Sequence, residues 1–153
     1  VTVDEAKELL NSFWISFPRI KAFLDKVVKE GIAAKKAVAV LDHRSRDLSS
    51  INFMIPKSKS HAQSILKNHN FQAGNASMTK RALCMLQDGF FEHPEWDAKI
   101  LTTIHDEILT TQNKVYDAEV LEFVVDAMVK AGEHYIKTIP VLVDAVSGSH
   151  WIH

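Results

Sequence analysis

Two β-branched, apolar runs, Lys99-Ile100-Leu101-Thr102-Thr103-Ile104 and Ile108-Leu109-Thr110-Thr111, are separated only by His105-Asp106-Glu107. Each run has the composition of a buried strand, and the spacing predicts a tight β-hairpin with the three polar residues at its tip. His-Asp is not a favoured hairpin turn, because such turns select Asn-Gly or Gly-X, which accept positive φ. A turn that breaks its own local rule points to chemistry at that place. An imidazole and two carboxylates there can engage metal ions and phosphates.

The chain has 153 residues, is 46% hydrophobic and carries a formal net charge of −1, which fits one soluble globular domain with a real core. No run approaches the roughly 18 apolar residues of a membrane span, and no signal peptide is visible. No membrane partner and a cytoplasmic location are therefore expected. Cys84 is the only cysteine, which excludes an internal disulfide, and within Ala82-Leu83-Cys84-Met85-Leu86 a buried, inert thiol is expected. The first residue is Val1 rather than Met, which suggests a processed chain or one cut from something longer.

The near-neutral total conceals an asymmetry. Residues 1–47 carry nine basic and seven acidic groups, residues 48–87 five basic and no acidic groups, and residues 88–153 four basic and twelve acidic groups. Forty consecutive residues without a carboxylate are unusual for a solvated surface, and a local basic stretch is how such a protein meets a phosphate backbone. Chance clustering on a solvated helix is the alternative.

Thr2-Val3-Asp4-Glu5 is a capping box that opens a helix to about Phe17. Ser16-Phe17-Pro18 caps a second helix through Lys29, with Gly31 as its stop. Ala37–Leu41 reads as a short strand running into Asp42-His43-Arg44-Ser45-Arg46. A helix is expected from about Ser58 to Lys67, and a longer one after Asn68 to Gln87, stopping at Gly89. The hairpin follows, then an amphipathic helix from Asp117 to about Tyr135, and a final strand over Ile139–Val146. The fold class is α+β and helix-rich, with a hairpin and a final strand.

These residues, in this order, resemble the C-terminal part of family A DNA polymerases, the class of bacterial polymerase I and of short-tailed phage replicases. His105-Asp106-Glu107 between apolar strands is similar to the family's third catalytic motif. Asn68-His69-Asn70-Phe71-Gln72-Ala73-Gly74, opening a helix that contains Lys80, resembles the Asn-x-x-x-Gln segment. Glu5-Ala6-Lys7 with Ser16-Phe17-Pro18-Arg19-Ile20 resembles the Glu-Ala…Ser-Phe-Pro helix pair. Ile139-Pro140-Val141 leading to Trp151 resembles the closing strand, and the Trp-Ile-His ending is nearest the phage enzymes. The family's first catalytic motif, an Asp followed by Tyr/Phe-Ser, and its nucleotide-binding fingers helix occur nowhere in the chain. The resemblance thus implies a single fragment, residues 1–153, of a polymerase palm.

The resemblance also implies roles. Asp106 becomes a ligand to Mg2+, the cofactor of a two-metal phosphoryl transfer. Glu107 is a weaker ligand candidate, facing the other way if the strand alternates, and His105 would touch the primer's terminal sugar-phosphate. Gln72 and Asn68 would donate to minor-groove acceptors, which A·T and T·A pairs both present in similar positions; helix N-terminal capping is the alternative for both. Lys57, Lys59, Lys67, Lys80 and Arg81 would hold phosphates. Arg44 and Arg46 resemble the family's Arg cluster after the small strand, although here Ser45 interrupts the run and His43 stands where Gly is common.

The expected function is deoxynucleotide addition to a primer 3′ end, with primer–template DNA, a deoxynucleoside triphosphate and the N-terminal remainder of the polymerase, on the same or a separate chain, as partners. This chain alone is expected to be inactive. A fragment that binds DNA or a partner chain without catalysis is the alternative. An HD-type metal phosphohydrolase is a more distant one, because such enzymes place His-Asp on a helix among further histidines.

Overall fold

The computed structural model describes residues 2–151, which fall into two compact units divided between Phe71 and Gln72. The architecture is helix-rich α+β with two small antiparallel hairpins.

The first unit opens with helix α1 (Val3–Ser16), started by the expected capping box: the Glu5 carboxylate accepts the Thr2 N–H at 2.6 Å and the Thr2 hydroxyl accepts the Glu5 N–H at 3.3 Å. Helix α2 (Pro18–Ala34) begins with Pro at its first position, where the missing N–H costs nothing, and ends at Lys35, whose φ of 51° places it in the left-handed region. Strands β1 (Lys36–Val38) and β2 (Ser45–Asp47) pair antiparallel, with Ala37 opposite Arg46. The core of this unit is Ala37, Leu48 and Leu66, flanked by Val27, Val28, Ile32, Ile51, Phe53 and Ile65.

Helix α3 (Pro56–Glu92) is one continuous helix of 37 residues and crosses from the first unit into the second. The expected break at Asn68 is absent. Asn68 lies in the helix interior and so cannot be an N-cap. Buried along α3 are Ala62, Leu66 and Asn70 in the first unit and Ala73, Gly74, Ser77, Ala82, Leu86, Gly89 and Phe90 in the second. Cys84 falls between Ala82 and Leu86 and is exposed rather than buried.

The second unit is built on Leu86, Phe90, Trp96, Val120, Val124 and Ala127. It contains strands β3 (Lys99–Ile104) and β4 (Glu107–Thr111) and helix α4 (Asp117–Tyr135). Ile100 and Ile108 seat the hairpin on the core. The expected final strand over residues 139–146 does not form: among the described residues the only ladders are β1–β2 and β3–β4. Pro140 has no N–H to give a ladder, and none of the segment's backbone groups enters one. Packing holds it instead, with Val141 seated on α4 so closely that a Cβ at Gly132 would stand 2.7 Å from its Cγ1.

Two glycines expected to stop helices do something else. Gly31 lies inside α2 and Gly89 inside α3, and a Cβ on either would overlap a packed side chain, Leu66 at Gly31 and the Phe123 ring at Gly89. Gly89→Ala should therefore lower the unfolding free energy by about 1–3 kcal/mol through overpacking, despite a helix-propensity gain of about 1 kcal/mol. Urea unfolding monitored by Trp fluorescence measures the sign, and Phe123→Leu in the same chain should recover part of the loss.

Candidate functional site

The hairpin of the second unit closes on a two-residue turn. Ile104 pairs with Glu107, leaving His105 and Asp106 as the connection. His105 has φ 55° while Asp106 has negative φ, the sign pattern of a type II′ turn, whose first position is normally glycine. A side chain there costs on the order of 1–2 kcal/mol, and such outliers cluster at functional sites. The violation of turn chemistry visible in the sequence is thus a real backbone strain. Leu101 is an extra residue in β3, because the register moves from Ile100 opposite Thr110 to Thr102 opposite Leu109. Such bulges sharpen the local twist and re-aim side chains.

His105, Asp106 and Glu107 are all exposed. Ile108 packs on the core, so alternation sends Glu107 to the opposite side of β4. Among the described residues no three His, Cys, Asp or Glu side chains group so as to hold a metal. The tip supplies carboxylate oxygen, which suits a hard cation, but only part of a ligand set.

Behind the tip lies an open cleft of about 1390 Å3, lined by β4, by Met78 and Thr79 of α3, by α4, and by the C-terminal segment from Pro140 onward; Asp106 and Glu107 are among its lining residues. One carboxylate organises its far end. Asp117 Oδ1 accepts from the Ser147 hydroxyl at 2.5 Å and from Gln112 Nε2 at 2.8 Å. These two hydrogen bonds, that of Ser147 foremost, hold the Asp117 carboxyl below the usual carboxylate range. They join the end of the hairpin, the start of α4 and the C-terminal segment at one oxygen.

The expected nucleic-acid contacts divide between the two units. In the second, Gln72, Lys80 and Arg81 are exposed on α3. In the first, Asn68, Lys57 and Lys59 are exposed on α3 and Lys67 is half-buried. Arg44 and Arg46 are exposed on the β1–β2 hairpin, Arg44 with its Nε 3.4 Å from the Asp42 carboxylate. Sequence reasoning missed His69 and Asn70, both of which reach the β1–β2 turn, and it missed the Asp117–Ser147–Gln112 junction. Asp117 stood out only as a helix opener, and nothing local in sequence marks partners five and thirty residues away. Of the tryptophans, Trp96 is buried in the core with the His93 ring stacked on it at 4.2 Å, and so is a packing residue.

The fold is that of part of a polymerase domain. It superposes with a TM-score of 0.77 on the POL domain of Pol1 from M. smegmatis in complex with DNA primer-template and dNTP, over 86% of this chain and 23% of that one at 21% identity. The chain belongs to DNA polymerase family A, whose model matches residues 1–153. It is 26% identical over 152 residues to the thermostable DNA polymerase I of Thermus thermophilus and 29% identical over 154 residues to DNA polymerase I of Geobacillus stearothermophilus, covering 99% of this chain and 17% of each relative. DNA polymerase theta of Caenorhabditis elegans is 20% identical over 151 residues, 9% of its length. This chain therefore spans about a sixth of the bacterial relatives it matches. No helix among the described residues is long and apolar enough to cross a membrane.

The turn geometry makes a stability forecast. His105→Gly relieves the positive-φ cost but frees the unfolded chain, so the unfolding free energy should stay within about 1 kcal/mol of the parent. His105→Val places a β-branched residue in the same conformation and should lose about 1–2 kcal/mol. Urea titration of both variants measures the difference.

Proposed function

We propose that this chain is the C-terminal palm segment of a DNA-directed DNA polymerase and acts in the addition of deoxynucleotides to a primer 3′ end. The observation that carries this reading is the strained His105-Asp106 turn at the tip of a core-seated hairpin, in a chain that matches family A along its whole length. In this reading Asp106 is a Mg2+ ligand and Glu107, on the opposite side of β4, a weaker one. His105 contacts the terminal sugar-phosphate of the primer.

When bound, Mg2+ supplies neutralisation of the charge on the phosphates undergoing transfer. Asp106 offers a single exposed carboxylate at the turn, so a second metal-binding carboxylate and the triphosphate site come from an N-terminal remainder, on the same or a separate chain. Exposed apolar residues support such a partner. Helix α1 buries none of its residues, and Leu9, Phe13 and Ile15 all face outward among the described residues. Alone, the chain is inactive, because half of a constellation cannot supply proximity.

Gln72 donates its amide to minor-groove acceptors and so tests base-pair shape without reading sequence. Asn68, four residues earlier on the same helix, does the same; its interior position in α3 removes capping as its role. Lys67, Lys80 and Arg81 neutralise backbone phosphates. A binding fragment without catalysis is the second reading, favoured by the incomplete ligand set at the tip. The HD-type reading is disfavoured, since His105 and Asp106 stand in a hairpin turn rather than on a helix.

In the complete enzyme, Asp106→Asn should abolish Mg2+-dependent primer extension while leaving duplex binding in place; extension at the parental rate would remove Asp106 from the mechanism. Gln72→Ala should weaken handling of the primer–template by about 1–3 kcal/mol, read as kcat/KM for extension.

A further inference from the structure

The turn between β1 and β2 is tied twice to α3, entirely within the first unit. His69 Nε2 lies 2.9 Å from the Arg44 carbonyl oxygen. A carbonyl only accepts, so Nε2 carries the proton and donates. One residue further on, the buried Asn70 accepts the Val40 N–H on its Oδ1 at 3.0 Å. The two tethers land on either side of the turn, at Val40 where the chain enters and at Arg44 where it leaves.

The turn is also braced internally. Arg44 O accepts the Ala39 N–H at 2.8 Å, Ala39 O accepts the His43 N–H at 3.1 Å, and Asp42 Oδ1 accepts the Arg44 N–H at 3.0 Å. His43 takes the left-handed conformation this requires, with φ 57°. The guanidinium of Arg44 turns toward the Asp42 carboxylate, 3.4 Å away. Arg46 differs: it stands in β2 opposite Ala37, exposed, and no ion pair involves it among the described residues.

Two strands of three residues each do not hold their own place. Ala37 and Leu48 seat the base of the hairpin in the core, and the tethers add hold at its turn end, so that less conformational freedom is left to lose on binding. With them, the planar guanidinium fork is offered from a fixed backbone, the arrangement that suits bidentate phosphate contact.

We infer that His69 and Asn70 are positioning residues that hold the β1–β2 hairpin on α3 so that Arg46, rather than Arg44, makes a contact with a nucleic-acid phosphate. The inference rests on the polymerase reading, which supplies primer–template DNA as the ligand. Within that reading it separates the two arginines: Arg44 organises the turn and Arg46 faces the ligand. His69 acts only through the backbone it tethers.

The test is binding of the full-length protein to a fluorescently labelled primer–template duplex between about 50 and about 200 mM salt. Arg46→Ala should weaken binding and reduce the salt slope by about 1, the loss of one phosphate contact. His69→Leu, which removes the donor, should weaken binding about 2- to 10-fold, the range of one hydrogen bond. His69→Gln keeps an amide donor and should restore binding to within about twofold.

The deciding arm is the pair: in the Arg46→Ala background, His69→Leu should add nothing, whereas a general structural effect would weaken binding in both backgrounds. Equal weakening in both backgrounds overturns the inference, as does parental binding by His69→Leu beside weakened binding by Arg46→Ala. Unchanged binding and slope for Arg46→Ala overturns it too, while leaving the polymerase reading intact. If the parent protein itself shows no duplex affinity, the polymerase reading fails and takes the inference with it. Should His69→Leu unfold the protein, His69→Asn, whose shorter amide falls short of the Arg44 carbonyl, takes its place in the same cycle.

Discussion

Helix α3 supplies residues to both units, and each lays its core on its own part of it. Leu66 anchors the first core beside Ala37 and Leu48, and Leu86 and Phe90 anchor the second beside Trp96 and Val120. Everything assigned to function is referred to these two anchors. The β1–β2 hairpin reaches its position through Leu48, His69 and Asn70, and the β3–β4 hairpin through Ile100 and Ile108. The polar faces of the same helix are left to solvent, which is where Gln72, Lys80 and Arg81 stand.

Much of this could be read from local pattern. The capping box at Thr2, the amphipathic helix from Asp117 and the hairpin around residues 104–108 follow from signals confined to a few neighbouring residues, and the structure contains all three. What sequence misjudged shares one cause: the deciding partner is distant in the chain. Gly31 and Gly89 look like helix stops until Leu66 and Phe123 are seen lying against them. Asn68 looks like a cap because capping residues resemble interior polar residues when nothing reveals that the helix continues past them. Ile139–Val146 has strand composition, yet a strand also needs a ladder partner, and composition does not state whether one is present. Arg44 and Arg46 are indistinguishable in sequence; the Asp42 carboxylate separates them.

The two candidate contact regions are built on opposite principles. At the hairpin tip, backbone strain is concentrated at His105 and the side chains are exposed. At the β1–β2 turn, strain at His43 is offset by a dense set of hydrogen bonds from the turn itself and from α3. The first arrangement leaves the tip side chains at the surface. The second fixes a charge in place before any ligand arrives. Under the proposed function both have a use, since chemistry requires access while grip on a duplex requires preorganisation.

The helix glycines carry an evolutionary consequence. Gly31 with Leu66, Gly89 with Phe123 and Gly132 with Val141 are three notch-and-knob pairs, each too tight for even a methyl group. A side chain gained at the notch collides with the knob, and a knob trimmed first leaves a void. Either order of single changes passes through a weakened intermediate, so the two members of each pair are expected to drift together or not at all. A homologue that changes one member of these three couples is expected to change the other.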